Sequence, residues 1–168
     1  MLNEWPIEQV LSINAYEEEL SELLVQVVEG GASIGFLPPM KRSEAALYWD
    51  TVISPDVLLF VALDQDRIVG SVQLQLSNKQ NGSHRAEIAK LMTLPSWRRR
   101  GIGRALMQKA EERALSEGRS LLVLDTREGD PSNDLYASLG YIEAGRIPGY
   151  AESADGRLDA TVFYYKQL

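Results

Sequence analysis

The sequence of 168 residues contains no cysteine and a single histidine, His84. The first absence excludes a disulfide framework, a thiolate zinc site and a cysteine nucleophile together. The second leaves no cluster of ligands, so no metal is expected. No run of eighteen apolar residues occurs, and the opening MLNEWPIEQV lacks the basic and apolar regions of a secretory leader. Neither a membrane span nor export is expected, which leaves the cytoplasm. If the chain is an enzyme, carboxylates, tyrosines, hydroxyls and backbone amides must carry its chemistry.

What is present is ordinary in bulk and uneven in placement. A hydrophobic fraction of 45% and a charged fraction of 24% fit a soluble globule. The length suits one domain, 1–168, burying about two-thirds of its unfolded surface. The formal charge is −7, yet residues 84–119 hold nine Lys/Arg against four Asp/Glu. The remainder holds eight basic against twenty acidic side chains. That flanking charge opposes non-specific nucleic-acid binding, so no nucleic-acid partner is expected. A compact polyanion touching only the middle of the chain meets no such opposition.

The order of elements reads as mixed α/β. Residues 5–13 make an opening strand or extended entry. In 16–29, Leu20, Leu23, Leu24, Val27 and Val28 recur at helical spacing, and Gly30-Gly31 ends the helix. The segment GGASIGFLPP reads as a loop leading to a second helix near 42–53, as a connector or as a pocket wall. VLLFVALD and RIVGSVQLQLSN form a hairpin around Asp64–Asp66, and Asn81-Gly82 turns tightly into the strand RAEIAKLMTL. From 101 the period changes to a helical stripe of Ile102, Ala105, Leu106, Ala110 and Ala114, closed by Gly118. SLLVLDT has the composition of a strand buried on both faces. A helix from about Pro131 to Leu139 follows. Two last strands, YIEAGRI and LDATVFYYKQL, are separated by a PGYAESADGR loop.

Residues 96–106, SWRRRGIGRAL, place four positive charges within 98–104 and run into Gly-Ile-Gly where a strand gives way to a helix. The first turn of a helix presents unpaired N–H groups at the positive end of its dipole. Glycine lets the backbone approach a diphosphate closely, and arginine adds charge-assisted hydrogen bonds. A dinucleotide fingerprint would require glycine at 106, which is Leu106, and a Walker loop would require Lys-Ser/Thr after Gly103, which is followed by Arg104. A solvated basic helix start without a ligand stays open on the glycines alone.

Arg98-Arg99-Arg100-Gly101-Ile102-Gly103 resembles the Arg/Gln-x-x-Gly-x-Gly/Ala signature of the GNAT superfamily of acetyl-CoA-dependent N-acetyltransferases. EIAKLMTLP before it, and the helix, LLVLDT and NDLYASLGY after it, fall in that family's order and spacing, over nearly the whole chain. RAEIAKLM, LDT, LYASLGY and the PGY…DGRLDAT ending look most like its tabtoxin-resistance branch, which inactivates an amino-acid-like β-lactam toxin. The resemblance implies a mostly antiparallel, twisted sheet, splayed at the cofactor site and flanked by about four helices. It implies acetyl-CoA as cosubstrate, its pantetheine arm pairing with Leu91, Met92 and Thr93. Arg98, Arg99, Arg100, Gly101, Ile102, Gly103 and Arg104 would surround the pyrophosphate, with the amides of 99–104 holding it. Asn133 matches a family asparagine near the pantetheine, or serves the helix turn. GNAT proteins are often homodimers, and the sequence leaves the oligomeric state open.

Acetyl transfer to an amine requires removal of the amine's proton, stabilisation of an oxyanion and a proton for the departing thiolate. Without cysteine, direct attack on the bound thioester is the simpler route. Tyr136, four residues before Gly140, occupies the family position of the tyrosine facing the CoA sulfur; its alternative is a core aromatic. Two carboxylates are candidate bases. Glu87 lies where some relatives carry a base, or else partners Arg85 or Lys90. Asp125 ends an apolar strand and should emerge beside the cleft, or else caps the Thr126–Pro131 turn. A water chain would replace both. The acceptor expected is a small-molecule amine; acidic loops containing Glu29, Asp155 and Asp159 either attract a cationic amine or are simply solvated. The alternatives are a protein or peptide acceptor, or an acyl-CoA sensor without catalysis.

Overall fold

The computed structural model describes residues 4–168, which form seven strands and four α-helices. In chain order these are β1 (Ile7–Val10), α1 (Glu17–Glu29), α2 (Arg42–Asp50), β2 (Val57–Asp64), β3 (Arg67–Leu76), β4 (Arg85–Thr93), α3 (Ile102–Ser116), β5 (Leu121–Arg127), α4 (Ser132–Ser138), β6 (Ile142–Glu152) and β7 (Leu158–Gln167). The strands make one sheet in the order β1-β2-β3-β4-β5-β7-β6, antiparallel at every junction except the parallel β4–β5 pair. The GNAT-type α/β architecture expected from the motifs is the one observed.

The apolar spacing of α1 does what its period requires. Leu20, Leu23, Leu24, Val27 and Val28 are all buried against the sheet and α2. Trp49 of α2, fully buried, satisfies its indole N–H on the carbonyl of Leu20 at 2.8 Å. The two faces of β3 meet different helices. Gln73 donates to the Tyr48 hydroxyl of α2 at 2.8 Å, whereas a Cβ on Gly70 would lie 2.8 Å from Ile102 Cγ2 of α3. Only glycine at 70 lets α3 settle this closely. Helices on both faces explain why β2 and β3 are almost continuously buried.

Two irregularities open the site. The β4–β5 pairing covers only Arg85–Leu121, Ala86–Leu122 and Glu87–Val123, after which the strands diverge. On its other edge β4 gains one residue against β3 between the Gln73–Ala89 and Ser71–Met92 pairs, and Lys90 there adopts φ 54°. A left-handed conformation costs a non-glycine residue about 1–2 kcal/mol. Strain of that kind persists where surrounding structure enforces it.

Two expectations are corrected. β6 does not stop at Ile147 but runs through Pro148 to Glu152, so PGYAE is strand and only residues 153–157 turn. Proline is tolerated because β6 is the sheet edge, and a register shift between Ile147 and Ala151 absorbs it. β5 is not buried on both faces: Leu122 and Leu124 are buried, but Asp125 is exposed where β4 has diverged. The tight turn expected at Asn81-Gly82 is present as a short 3-10 turn, Gln80–Gly82.

Candidate active site

The divergence of β4 from β5 leaves a groove of about 540 Å³. One side is β4 itself, contributing Leu91, Met92 and Thr93. Beyond Glu87 the β5-facing edge of β4 has no strand partner among the described residues, which leaves its amides and carbonyls to pair with an extended ligand. The floor is the start of α3. Gly101 caps that helix at φ 83°, a left-handed turn that glycine takes without steric cost. The turn brings the N–H groups of the first helical residues to the groove. Arg98, Arg99, Gly101, Ile102, Gly103 and Arg104 all line it. The far wall is Gly30–Ala32 after α1 and Asp130–Ser132 leading into α4.

Arg100 is not on the groove wall. Its guanidinium stacks over Trp97 at 4.7 Å, and its carbonyl accepts the Trp5 indole N–H at 2.9 Å. Trp5 and Trp97 meet edge to face at 6.0 Å. The tryptophan pair thus anchors the arginine loop, Trp97 itself lining the groove beside Arg98 and Arg99. Arg99 is itself left-handed at φ 65°. Asn133 also lies off the wall. Its amide nitrogen donates to the carbonyls of Arg127 and Asp130, at 2.9 and 2.8 Å, and its oxygen accepts from the Tyr164 hydroxyl at 2.8 Å. That side chain is spent holding the turn into α4.

A second cavity, of about 340 Å³, opens from the first. The two share Ala32, Leu91, Arg127, Asp130 and Ser132. The second contains the three catalytic candidates, Glu87, Asp125 and Tyr136, together with Lys90. It is roofed by residues 32–35 and closed by Tyr150, Ala151 and Thr161 from β6 and β7. GGASIGF is therefore a pocket wall.

The electrostatics of this cavity follow from its partial enclosure. Desolvation raises the pKa of Glu87, the nearby Asp125 charge raises it further, and Lys90 opposes both. Asp125 is open to the cleft yet surrounded by enough protein that desolvation raises its pKa too, again against Lys90. Desolvation lowers the pKa of Lys90, opposed by Asp125 and then Glu87. Tyr136 is buried with its ring 5.9 Å from both Tyr141 and Tyr164. Desolvation first, then the Asp125 charge, holds its hydroxyl far above the usual tyrosine range, so it stays protonated. The turn after Asp125 is held by other groups. The Thr126 and Ser132 hydroxyls meet at 2.6 Å, and Arg127 Nε donates to Asp130 at 2.9 Å.

Arg127 is the contact the sequence did not announce. Besides Asp130, it donates to the Ser153 hydroxyl at 3.1 Å and to the Gly31 carbonyl at 3.1 Å. One side chain therefore ties the end of β5 to the roof loop and to the β6–β7 turn. The only local hint was the Arg127–Asp130 spacing; Gly31 and Ser153 are 96 and 26 residues away.

Three comparisons bear on this geometry. Residues 32–141 match the model of the acetyltransferase (GNAT) family. An IAA acetyltransferase of Azospirillum brasilense is 28% identical over 138 residues, covering 81% of this chain and 88% of the relative. Among solved structures, a ribosomal-protein-alanine N-acetyltransferase from Brucella melitensis superposes with a TM-score of 0.83 at 20% identity, over 97% of this chain and 99% of that one. An aminoglycoside 6'-N-acetyltransferase complexed with coenzyme A gives a TM-score of 0.76 at 20% identity, over 96% of each chain.

Proposed function

Because the chain belongs to the acetyltransferase (GNAT) family, we propose that it transfers an acetyl group from acetyl-CoA to a primary amine of a small molecule, by direct attack with both substrates bound. The observation that carries this reading is the junction of the two cavities. There a groove of free strand edge, helix N-terminus and arginines meets a cleft holding two carboxylates and a protonated tyrosine.

Acetyl-CoA supplies the activated acyl group. Leu91, Met92 and Thr93 would hold its pantetheine arm along the open edge of β4, and Arg98, Arg99 and the amides through Arg104 would hold its diphosphate. Arg100 serves through the loop it anchors, and Asn133 through the turn it fixes. Glu87 or Asp125, directly or through water, takes the proton of the incoming amine; their raised pKa values make them better bases than free carboxylates. The Tyr136 hydroxyl donates a proton to the departing thiolate.

A cleft of about 340 Å³ under a roof loop suits a small amine better than the terminus of a folded protein. Retention of two partly desolvated carboxylates beside a buried tyrosine argues for catalysis over a sensor. The tabtoxin-resistance resemblance extends the proposal to an amino-acid-like toxin or antibiotic as acceptor. The proposed protein acts in the cytoplasm as one domain, with exposed Ile142, Ile147 and Tyr150 on β6 offering the surface for a homodimer. CoA release from acetyl-CoA against a panel of amino acids, polyamines, aminoglycosides, peptides and β-lactam amino acids tests the reading. Amine-dependent release with formation of the N-acetyl product is expected. Acetyl-CoA binding with no amine-dependent release would leave the sensor.

A further inference from the structure

The acceptor cleft contains three charged groups that the fold leaves without a close partner. Eight ion pairs join side chains among the described residues, and none includes Glu87, Asp125 or Lys90. The neighbouring charges are already committed, since Arg127 and Asp130 bond each other. Lys90 is the informative member. A regular strand would send it to the face of Ile88, which is buried. The extra residue in β4 and the left-handed turn at Lys90 send it into the cleft with Glu87 instead. Its ammonium lies 5.9 Å from the centre of the Phe36 ring and 3.2 Å from where a Cβ on Gly35 would be. A dedicated counter-ion for Glu87 or Asp125 would be expected within ion-pair distance of one of them; Lys90 pairs with neither, although its charge reaches both, and its ammonium lies against the roof loop.

We infer that the acceptor carries an anionic group, a carboxylate or its equivalent, beside the amine to be acetylated, and that Lys90 recognises it. The inference rests on the reading of this cavity as the acceptor site and narrows its substrate class to amphoteric small molecules. The two carboxylates face the amine, one of them taking its proton directly or through water, while the ammonium, backed by an aromatic ring, takes the opposite pole. A ligand bearing only positive charge would leave Lys90 desolvated beside a like charge, which is costly. Polyamines and aminoglycosides are thereby disfavoured.

The test uses the full chain, acetyl-CoA and matched acceptors: L-lysine with cadaverine, L-ornithine with putrescine, and L-phenylalanine with phenethylamine. The wild type is expected to favour the carboxylate-bearing member of a pair by at least about tenfold in kcat/KM, a margin set by one charged contact. Lys90→Met should abolish the preference through KM for the acid, with acetyl-CoA affinity by calorimetry unchanged, and Lys90→Arg should restore part of it. Lys90→Gly, which relieves the left-handed strain while removing the ammonium, serves as the well-folded check by circular dichroism. Equal or better turnover of the decarboxylated amines, a preference that survives Lys90→Met, or acetyl-CoA binding with turnover of none of the acids overturns the inference. Failure to bind acetyl-CoA at all would sink the transferase reading itself, a separate result.

Discussion

Replacing Tyr136 by phenylalanine removes one hydroxyl from a ring already fixed between Tyr141 and Tyr164, so packing should survive. A proton donated only as the thiolate leaves contributes in the transition state. The expected result is a fall in kcat of roughly 10²–10⁴-fold with KM for acetyl-CoA nearly constant, the range typical of general-acid catalysis. Single-turnover kinetics check it; wild-type kcat would return Tyr136 to the core. Glu87→Gln tests the neighbouring carboxylate through stability as well as rate. Burial holds the folded pKa of Glu87 above its unfolded value. Its stabilising contribution is therefore whole below the unfolded pKa and is lost as pH rises through the folded one. The glutamine variant has no such loss, so it should melt above the wild type at neutral pH and lose that margin in acid, while kcat/KM falls. Calorimetry across pH 4–8 would show the margin; its absence would mean that the Glu87 charge is better solvated than the cleft suggests. At this scale the motif exposed Tyr136, Glu87 and Asp125, because each sits in a recognisable local string. Lys90 and Arg127 escaped because their roles come from a backbone bulge and from contacts far along the chain.

The start of α3 shows how an element can be legible while its mechanics are not. The Arg-Gly string located the helix N-terminus to within a residue of Ile102, yet nothing in it revealed that Arg99 and Gly101 both turn left-handed or that Arg100 stacks on Trp97 instead of lining the groove. Side-chain direction in a tight turn depends on φ, and composition does not report φ for arginine. Gly101→Ala should cost about 1–2 kcal/mol in urea unfolding, because alanine pays for the left-handed turn although nothing lies within 4 Å of its Cβ. Gly103 differs: its added Cβ meets Leu135 Cδ2 at 3.2 Å, so Gly103→Val should weaken acetyl-CoA binding by calorimetry with less backbone strain. Equal stability of Gly101→Ala and wild type would show that the loop relaxes into another turn. β6 was misread for the converse reason. Pro148 and Gly149 signal a break by local rules, but an edge strand donates on one side only and tolerates both.

At the scale of the whole molecule, the order of elements was readable because period changes and turn residues mark every boundary, whereas the meeting of two cavities was not. That meeting depends on how far β4 pairs with β5, which is three residue pairs. Among the described residues these pairs are the only strand pairing between one part of the sheet, β1–β4 with α3 packed on it, and the other, β5-β7-β6. Arg127 adds a polar tether across the same gap through Gly31. The rest of the join includes side-chain packing and the Lys166–Glu111 ion pair between β7 and α3, so a strand-like ligand seated along β4 would add a second set of backbone pairs across it. Binding there would do more than occupy a site: it would couple the two half-sheets through the backbone. Amide hydrogen exchange should show the two half-sheets opening with different free energies in the free protein. With acetyl-CoA saturating, the Leu91–Thr93 amides should become protected and the two opening energies converge, by up to about 2.7 kcal/mol at a hundredfold excess over Kd. Uniform exchange across both halves without ligand would mean that three residue pairs suffice to make the sheet one cooperative body.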